Sequence, residues 1–305
     1  MKYSLLIVLL SLSFAELQAG GPWTKKKGEG YVQFAAYAIP PINRLSINAY
    51  RTKFLNRSIF DATGEFYAEY GLTKRFTLSA SLPVKWVSSG QQVQSVDSSQ
   101  LAARAFGPPS DVLDAGTLVD LGNIRLAGKY SILSKKIHLS AHALISAPTA
   151  IQAYNPNTAL RTAYPCWGFQ PSLSIGYGKE KMYTYLESGM NFRTHDYSHQ
   201  WVANFEIGWR IGKRAYFAIA LDAVLCLPGG ADVPNTTEEV QTGLYVNNQN
   251  FVAFTLKAIV PVSDHVGLNI SLSGGLWANN VQQGPNIGLG IYYKWQKKKK
   301  VTVDS

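Results

Sequence analysis

The chain has 305 residues, 46% of them hydrophobic and only 16% charged, where ordinary soluble domains carry roughly 25% charge. Its mean hydropathy is −0.05, and beyond the N-terminus no stretch approaches the roughly 20 apolar residues of a spanning helix, which excludes a helical membrane protein. The formal net charge of +10 raises the question of a nucleic-acid partner, which the placement of the charges decides.

Residues 1–19 read as an export signal: a lysine at position 2, an apolar core over 5–14, and small residues at Ala15 and Ala19 that favour cleavage after Ala19. Residues 30–39, "GYVQFAAYAI", form the first expected strand. In 59–70, Phe60, Ala62, Phe66 and Tyr70 fall on one parity and Asp61, Glu65 and Glu69 on the other. After "GLTKR", Phe76, Leu78, Leu82, Val84 and Trp86 alternate with Thr77, Ser79, Ser81 and Lys85. A period of two means extended strands with one apolar and one polar face.

The same grammar continues. Ile124, Leu126 and Tyr130 oppose Arg125 and Lys129; Ile137, Leu139 and Ile145 oppose His138, Ser140 and His142; Phe169, Leu173, Ile175 and Tyr177 oppose Gln170, Ser172 and Ser174. Leu186, Met190 and Phe192 alternate with Glu187 and Arg193, Trp201, Phe205 and Trp209 with Glu206 and Arg210, and Phe217, Ile219 and Leu221 with Asp222. Three further strands are expected over 250–260, 266–277 and 285–295. About twelve strands of roughly 9 to 12 residues result, the length a tilted strand needs to cross a bilayer.

Short connections (71–75, 131–136, 178–181, 212–214, 261–265) alternate with longer ones (40–57, 88–118, 148–166, 226–249), with 194–200 and 278–284 as shorter members of the long set. A soluble sandwich or barrel also alternates, but its solvent face is dense in Lys and Glu. Here the polar parity is rich in Ser, Thr, Asn and Gly, and Trp or Tyr recurs near strand ends on the apolar parity, as in interfacial girdles. The fold class is therefore all-β: a transmembrane antiparallel up-and-down β-barrel spanning 20–295, with a basic tail at 296–305. Its tight turns are expected in the periplasm and its long loops outside.

Most of the positive charge falls on the tight-turn rim: Lys25, Lys26, Lys27, Lys74, Arg75, Lys135, Lys136, Lys179, Lys181, Lys213, Arg214 and the lysines at 297–300. Basic turns at a membrane surface contact lipid phosphates and resist translocation, so outer-membrane lipid rather than nucleic acid is the expected partner. The polar parities place Asp61, Glu65, Glu69, Lys85, Arg125, Lys129, Glu187, Glu206, Arg210 and Asp222 in the lumen, an acidic wall beside a basic one. With the first turn centred on Thr73, Asp61 stands across from Lys85 and Phe60 across from Trp86. The lumen is either a polar conduit that orients a passing small solute or an ion-paired interior that closes a narrow barrel.

Cys166 and Cys226 are the two cysteines of an exported chain and so a candidate disulfide, the alternative being two half-buried thiols. "THDYSHQ" sets His195, Ser198 and His199 close in sequence, the one stretch that would suit a membrane-embedded hydrolase. It matches no mechanistic spacing. No GxSxG, HExxH, phosphate-cradling glycine loop or paired CxxC occurs, so neither catalysis, cofactor nor metal is expected.

"GPWTKKKGEGYVQF" followed by "EFYAEYGLTKRFTLSASLPVKW" resembles the opening of bacterial outer-membrane barrels grouped with the phenol-degradation meta-pathway family, whose members are presumed transporters. The resemblance covers roughly the first third of the chain. It specifies a barrel, not a substrate; the expected function is a channel or transporter for small, weakly polar or aromatic molecules, with the barrel-assembly machinery as a further partner. Such barrels commonly end on an aromatic residue, whereas here ten residues follow Trp295. The competing expectation is a sealed barrel that acts through its long loops.

Overall fold

The computed structural model describes residues 21–47, 51–91, 113–151, 154–212, 215–230 and 242–295. The expected signal peptide, the basic tail, Lys213 and Arg214 lie outside them. The strands are β1 (Gly30–Ile47), β2 (Arg51–Gly71), β3 (Phe76–Ser89), β4 (Gly116–Leu121), β5 (Ile124–Ser134), β6 (Ile137–Ala147), β7 (Tyr154–Asn155) and β8 (Leu160–Arg161). They continue as β9 (Gly168–Lys179), β10 (Met182–Arg193), β11 (Gln200–Ile211), β12 (Ala215–Cys226), β13 (Asn250–Pro261), β14 (Val266–Asn279), β15 (Val281–Gln282) and β16 (Asn286–Trp295).

Fourteen strands share one sheet, and without the short β4 and β15 twelve staves remain. Each stave pairs antiparallel with its neighbours in the chain, and β1 closes the ring on β16 from Gly30↔Trp295 to Ala38↔Ile287. β7 and β8 form a separate hairpin in the connection before β9. The fold is thus the closed antiparallel barrel that the alternation predicts.

The two faces differ as lipid and water require. Phe66, Leu126, Leu173, Ile270, Leu289 and Ile291 stand exposed on the outer surface, while Ser140, Ser174 and Thr77 are buried within. A belt of exposed Leu, Ile and Phe around a closed sheet is stable in hydrocarbon, where the ring leaves no backbone edge unpaired. Trp277 joins that outer face through a bulge: Val252 pairs with Trp277 and Ala253 with Gly275, so Leu276 is the extra residue and the parity flips beyond it.

Three expectations are corrected. Most of 40–57, read as a long loop, is extended: β1 and β2 pair out to Ile47↔Arg51, and Pro40 and Pro41 sit where the register shifts between Ile39 and Ile42. Proline lacks a ladder donor, so a bulge is where a strand tolerates it. Second, the end of the expected 88–118 loop is β4, paired to β3 from Val84↔Leu121 to Ser89↔Gly116; β5 then resumes at Ser81↔Arg125, with Pro83 and 122–123 at the break. Third, the β2–β3 turn centres on Lys74 rather than Thr73, because Gly71↔Thr77 closes it.

Thr73 shapes that turn through its hydroxyl, which accepts from the amides of Arg75 (3.1 Å) and Phe76 (3.0 Å). Ser263 repeats the device before β14, accepting from His265 N (3.2 Å) and Val266 N (3.0 Å). The turn shift moves the β2–β3 register by two residues, so Thr63 faces Lys85 and Asp61 faces Val87. An even shift preserves every face. Asp61 and Lys85 still form an ion pair, and Phe60 and Trp86 an edge-on ring contact at 6.4 Å, as diagonal neighbours. Leu173, in mid-β9 and 58% exposed, tests the lipid-facing assignment: Leu173→Arg should cost about 2–4 kcal/mol in denaturant unfolding from lipid vesicles.

Candidate functional site

From Arg57 onward every second residue of β2 points inward, and each carboxylate there meets a cation from another element. Asp61 pairs with Lys85 of β3, whose Nζ also donates to Thr63 Oγ1 at 2.8 Å. Glu65 Oε1 lies 2.5 Å from Arg125 Nη2 of β5 and accepts from Ser81 Oγ. Glu69 is buried between Lys25 (3.5 Å) and Lys129 (4.0 Å), and Tyr67 Oη donates to it at 2.6 Å. The acidic and basic walls meet as three rungs. On the opposite arc, Glu187 takes His142 Nδ1 at 3.2 Å and Ser172 Oγ at 2.7 Å, while Glu206 takes Lys257 Nζ at 2.7 Å and Tyr183 Oη at 2.7 Å.

The lowest rung is built with the N-terminal segment, which enters the lumen at the tight-turn end. Ser140 Oγ donates to Pro22 O, Lys129 Nζ to Trp23 O (3.4 Å), and Lys25 N to Thr77 Oγ1 (2.8 Å). Trp23 is buried edge-on to Tyr183 (6.0 Å) and Tyr185 (5.8 Å), with His138 at 5.9 Å. The partners come from β3, β5, β6 and β10, so the segment packs into the bore as a plug against one arc of its wall. Close packing demands glycine at two points: a Cβ on Gly71 would strike the carbonyl of Lys26, and one on Gly176 the ring of Pro22.

The long-loop end is covered by side chains. Arg193 lies between the rings of Tyr164 (5.4 Å) and Tyr197 (5.1 Å) while its Nε donates to Ser198 O (2.7 Å) and its Nη2 to Asn247 Oδ1 (3.0 Å). Tyr164 packs edge-on to Tyr245 at 5.1 Å, and Tyr245 in turn lies under Lys85 at 5.7 Å. Burial pushes the hydroxyls of Tyr164, Tyr197 and Tyr245 above the ordinary phenol value. Against Tyr245 pack Leu45, Leu55, Ile59, Val87 and Leu118 of the strand ends together with Leu160 of β8 and Leu244, a buried apolar core.

Between plug and cover lies a cavity of ≈ 510 Å³. Of the ten residues expected in the lumen, Glu65, Arg125, Lys129, Glu187 and Glu206 line it. Glu69 belongs to the plug end, and Asp61 and Lys85 to the rung touching Tyr245. Asp222 is bound to Asn204, its partner across β11–β12, and Arg210 sits opposite Tyr216 near the tight-turn end of β11; neither lines the cavity.

The charge-based expectation passed over the aromatic part of the wall: Tyr31, Tyr37, Tyr67 and Tyr183. Tyrosine on the polar parity was the available signal. Cys166 and Cys226 are free thiols in the structure, and Cys226 Sγ accepts from Gln200 Nε2 (3.7 Å) and Arg193 Nη2 (3.9 Å). His195, Ser198 and His199 are not assembled as nucleophile and base: Ser198 Oγ donates to Asn248 Oδ1 (2.5 Å), and His199 Nδ1 accepts from Arg193 N (3.1 Å).

No protein-family model matches the chain, and no curated protein is matched. Among solved structures it is similar to an outer membrane channel from Pseudomonas putida F1, at 17% identity and a TM-score of 0.66, covering 92% of this chain and 100% of that one. It also overlays the KdgM porin in complex with disordered oligogalacturonate (8% identity, TM-score 0.49, 87% and 99% covered) and the P. putida toluene transporter TodX (12%, 0.47, 90% and 91%). The first likeness shows a shared fold, a closed antiparallel β-barrel; the other two overlap too loosely to argue from.

The buried rung gives a direct test. Glu69→Gln leaves Lys25 and Lys129 without their shared carboxylate and should cost about 3 kcal/mol in denaturant unfolding, much of it recovered by adding Lys129→Met.

Proposed function

We propose that the protein is a channel or transporter for small molecules in the bacterial outer membrane, related to the phenol-degradation meta-pathway barrels that its first third resembles. The observation that carries this reading is the cavity of ≈ 510 Å³ inside the barrel, lined from ten of the twelve staves by paired charges, hydroxyls and amides as well as apolar side chains. A barrel built only for stability has no need of such a space, and its size suits a small ligand. The expected export signal and the apolar belt of the barrel support the location. The polar wall of Ser, Thr, Asn, Gln and paired charges supports passage of a hydrated or weakly polar solute, with lipid around the barrel and the assembly machinery as its other partners.

One observation favours a second reading, a sealed barrel acting through its loops: the Trp23 segment packs into the tight-turn end of the lumen, and Tyr245 lies under Lys85 toward the long-loop end. The channel reading makes the Trp23 segment a gate. Reconstituted in planar bilayers, the protein should then conduct in discrete steps, and Trp23→Ala should raise the open fraction by removing the indole wedged against Tyr183 and Tyr185. Silence from both proteins, with both correctly folded, would favour the sealed barrel.

A further inference from the structure

The ion pairs around the cavity are not symmetric about its axis. Arg125 is 47% exposed where its partner Glu65 is 17% exposed, and Lys257 is 35% exposed against 8% for Glu206. All four line the cavity, and β5 and β13 are six staves apart in either direction around twelve, so the two pairs face each other across the bore. Each pair is a dipole with its cation toward the water space and its carboxylate toward the wall. Formal charges cancel, but the nearer charge dominates the potential on the axis. Glu187 is the one cavity carboxylate more exposed than its partner, His142, and it is less exposed than either cation.

The cations also have bonding capacity left. The hydrogen bonds of Arg125 to Glu65 (2.5 Å) and Ser81 (3.1 Å) both leave from Nη2, so another edge of the guanidinium can take a carboxylate in the two-point geometry. The tyrosines are committed in the other direction. Tyr31 donates its hydroxyl proton to Gln33, Tyr67 to Glu69 and Tyr183 to Glu206, so none has a hydroxyl proton left to donate to a solute and each offers the cavity its ring.

We infer that the cavity is an anion-selective site for small aromatic carboxylates, with Arg125 and Lys257 as the carboxylate-binding cations and Tyr31, Tyr67 and Tyr183 as the wall for the ring. This rests on the cavity being the solute path proposed above.

Two measurements on the full chain separate the two ideas. In planar bilayers under a KCl gradient, the reversal potential should report chloride preferred to potassium. The exchange Glu65→Arg with Arg125→Glu keeps the pair and the net charge but turns the dipole round, and should lower that preference on the order of threefold; Glu206→Lys with Lys257→Glu should act the same way. In detergent, calorimetric titration should show benzoate bound more tightly than its uncharged analogue benzyl alcohol, and Arg125→Gln should weaken benzoate about tenfold while sparing the alcohol. A potassium-preferring channel, a preference unmoved by both exchanges, or equal binding of the two probes overturns the inference. Benzoate binding without conductance upholds the site and overturns the channel reading.

Discussion

Hydrocarbon offers no partner to an unpaired backbone amide, and the architecture follows from that constraint. Each of the twelve staves has two neighbours, and β1 meets β16 over nine residue pairs, so no edge faces lipid. Once the ring is closed, the side chains divide without compromise. Everything apolar and large on the outer parity contacts lipid, and everything polar must find a partner inside. The lumen is therefore a site by default: the one place where the chain can put charge.

What it does there is pair charge across strands. The β2 carboxylates are met from β3, β5 and the N-terminal segment, so the same contacts that stabilise the interior also bind the plug and set the floor of the cavity. Removing any one carboxylate acts on both stability and bore. The aromatic residues divide the same way, with indoles and phenols on the outer parity at strand ends and a second set of tyrosines inside, their hydroxyls donated to Gln33, Glu69 and Glu206.

The faces were legible in the sequence because lipid sorts residues with a period of two, and no tertiary contact competes with that sorting. Register was less so. It depends on where a turn is centred, and the Thr73 hydroxyl that accepts from two amides goes with a turn centred one residue further along than "GLTKR" suggests. The strand extensions were hidden by Pro40 and Pro41, which punctuate a loop in most contexts but here occupy a bulge. The plug was hidden because "GPWTKKKGEG" is polar and basic; only Trp23, flanked by Pro22 and facing Tyr183 and Tyr185, needed a home away from water.

The dry layer of Leu45, Leu55, Ile59, Val87, Leu118 and Leu160 makes the outward continuation of the staves a stiff collar with a core of its own. Segments mounted on such a ring can change sequence without loosening what lies beneath. Entry and permeation then become separately adjustable properties, the first written in the segments above the collar and the second in the charges below it.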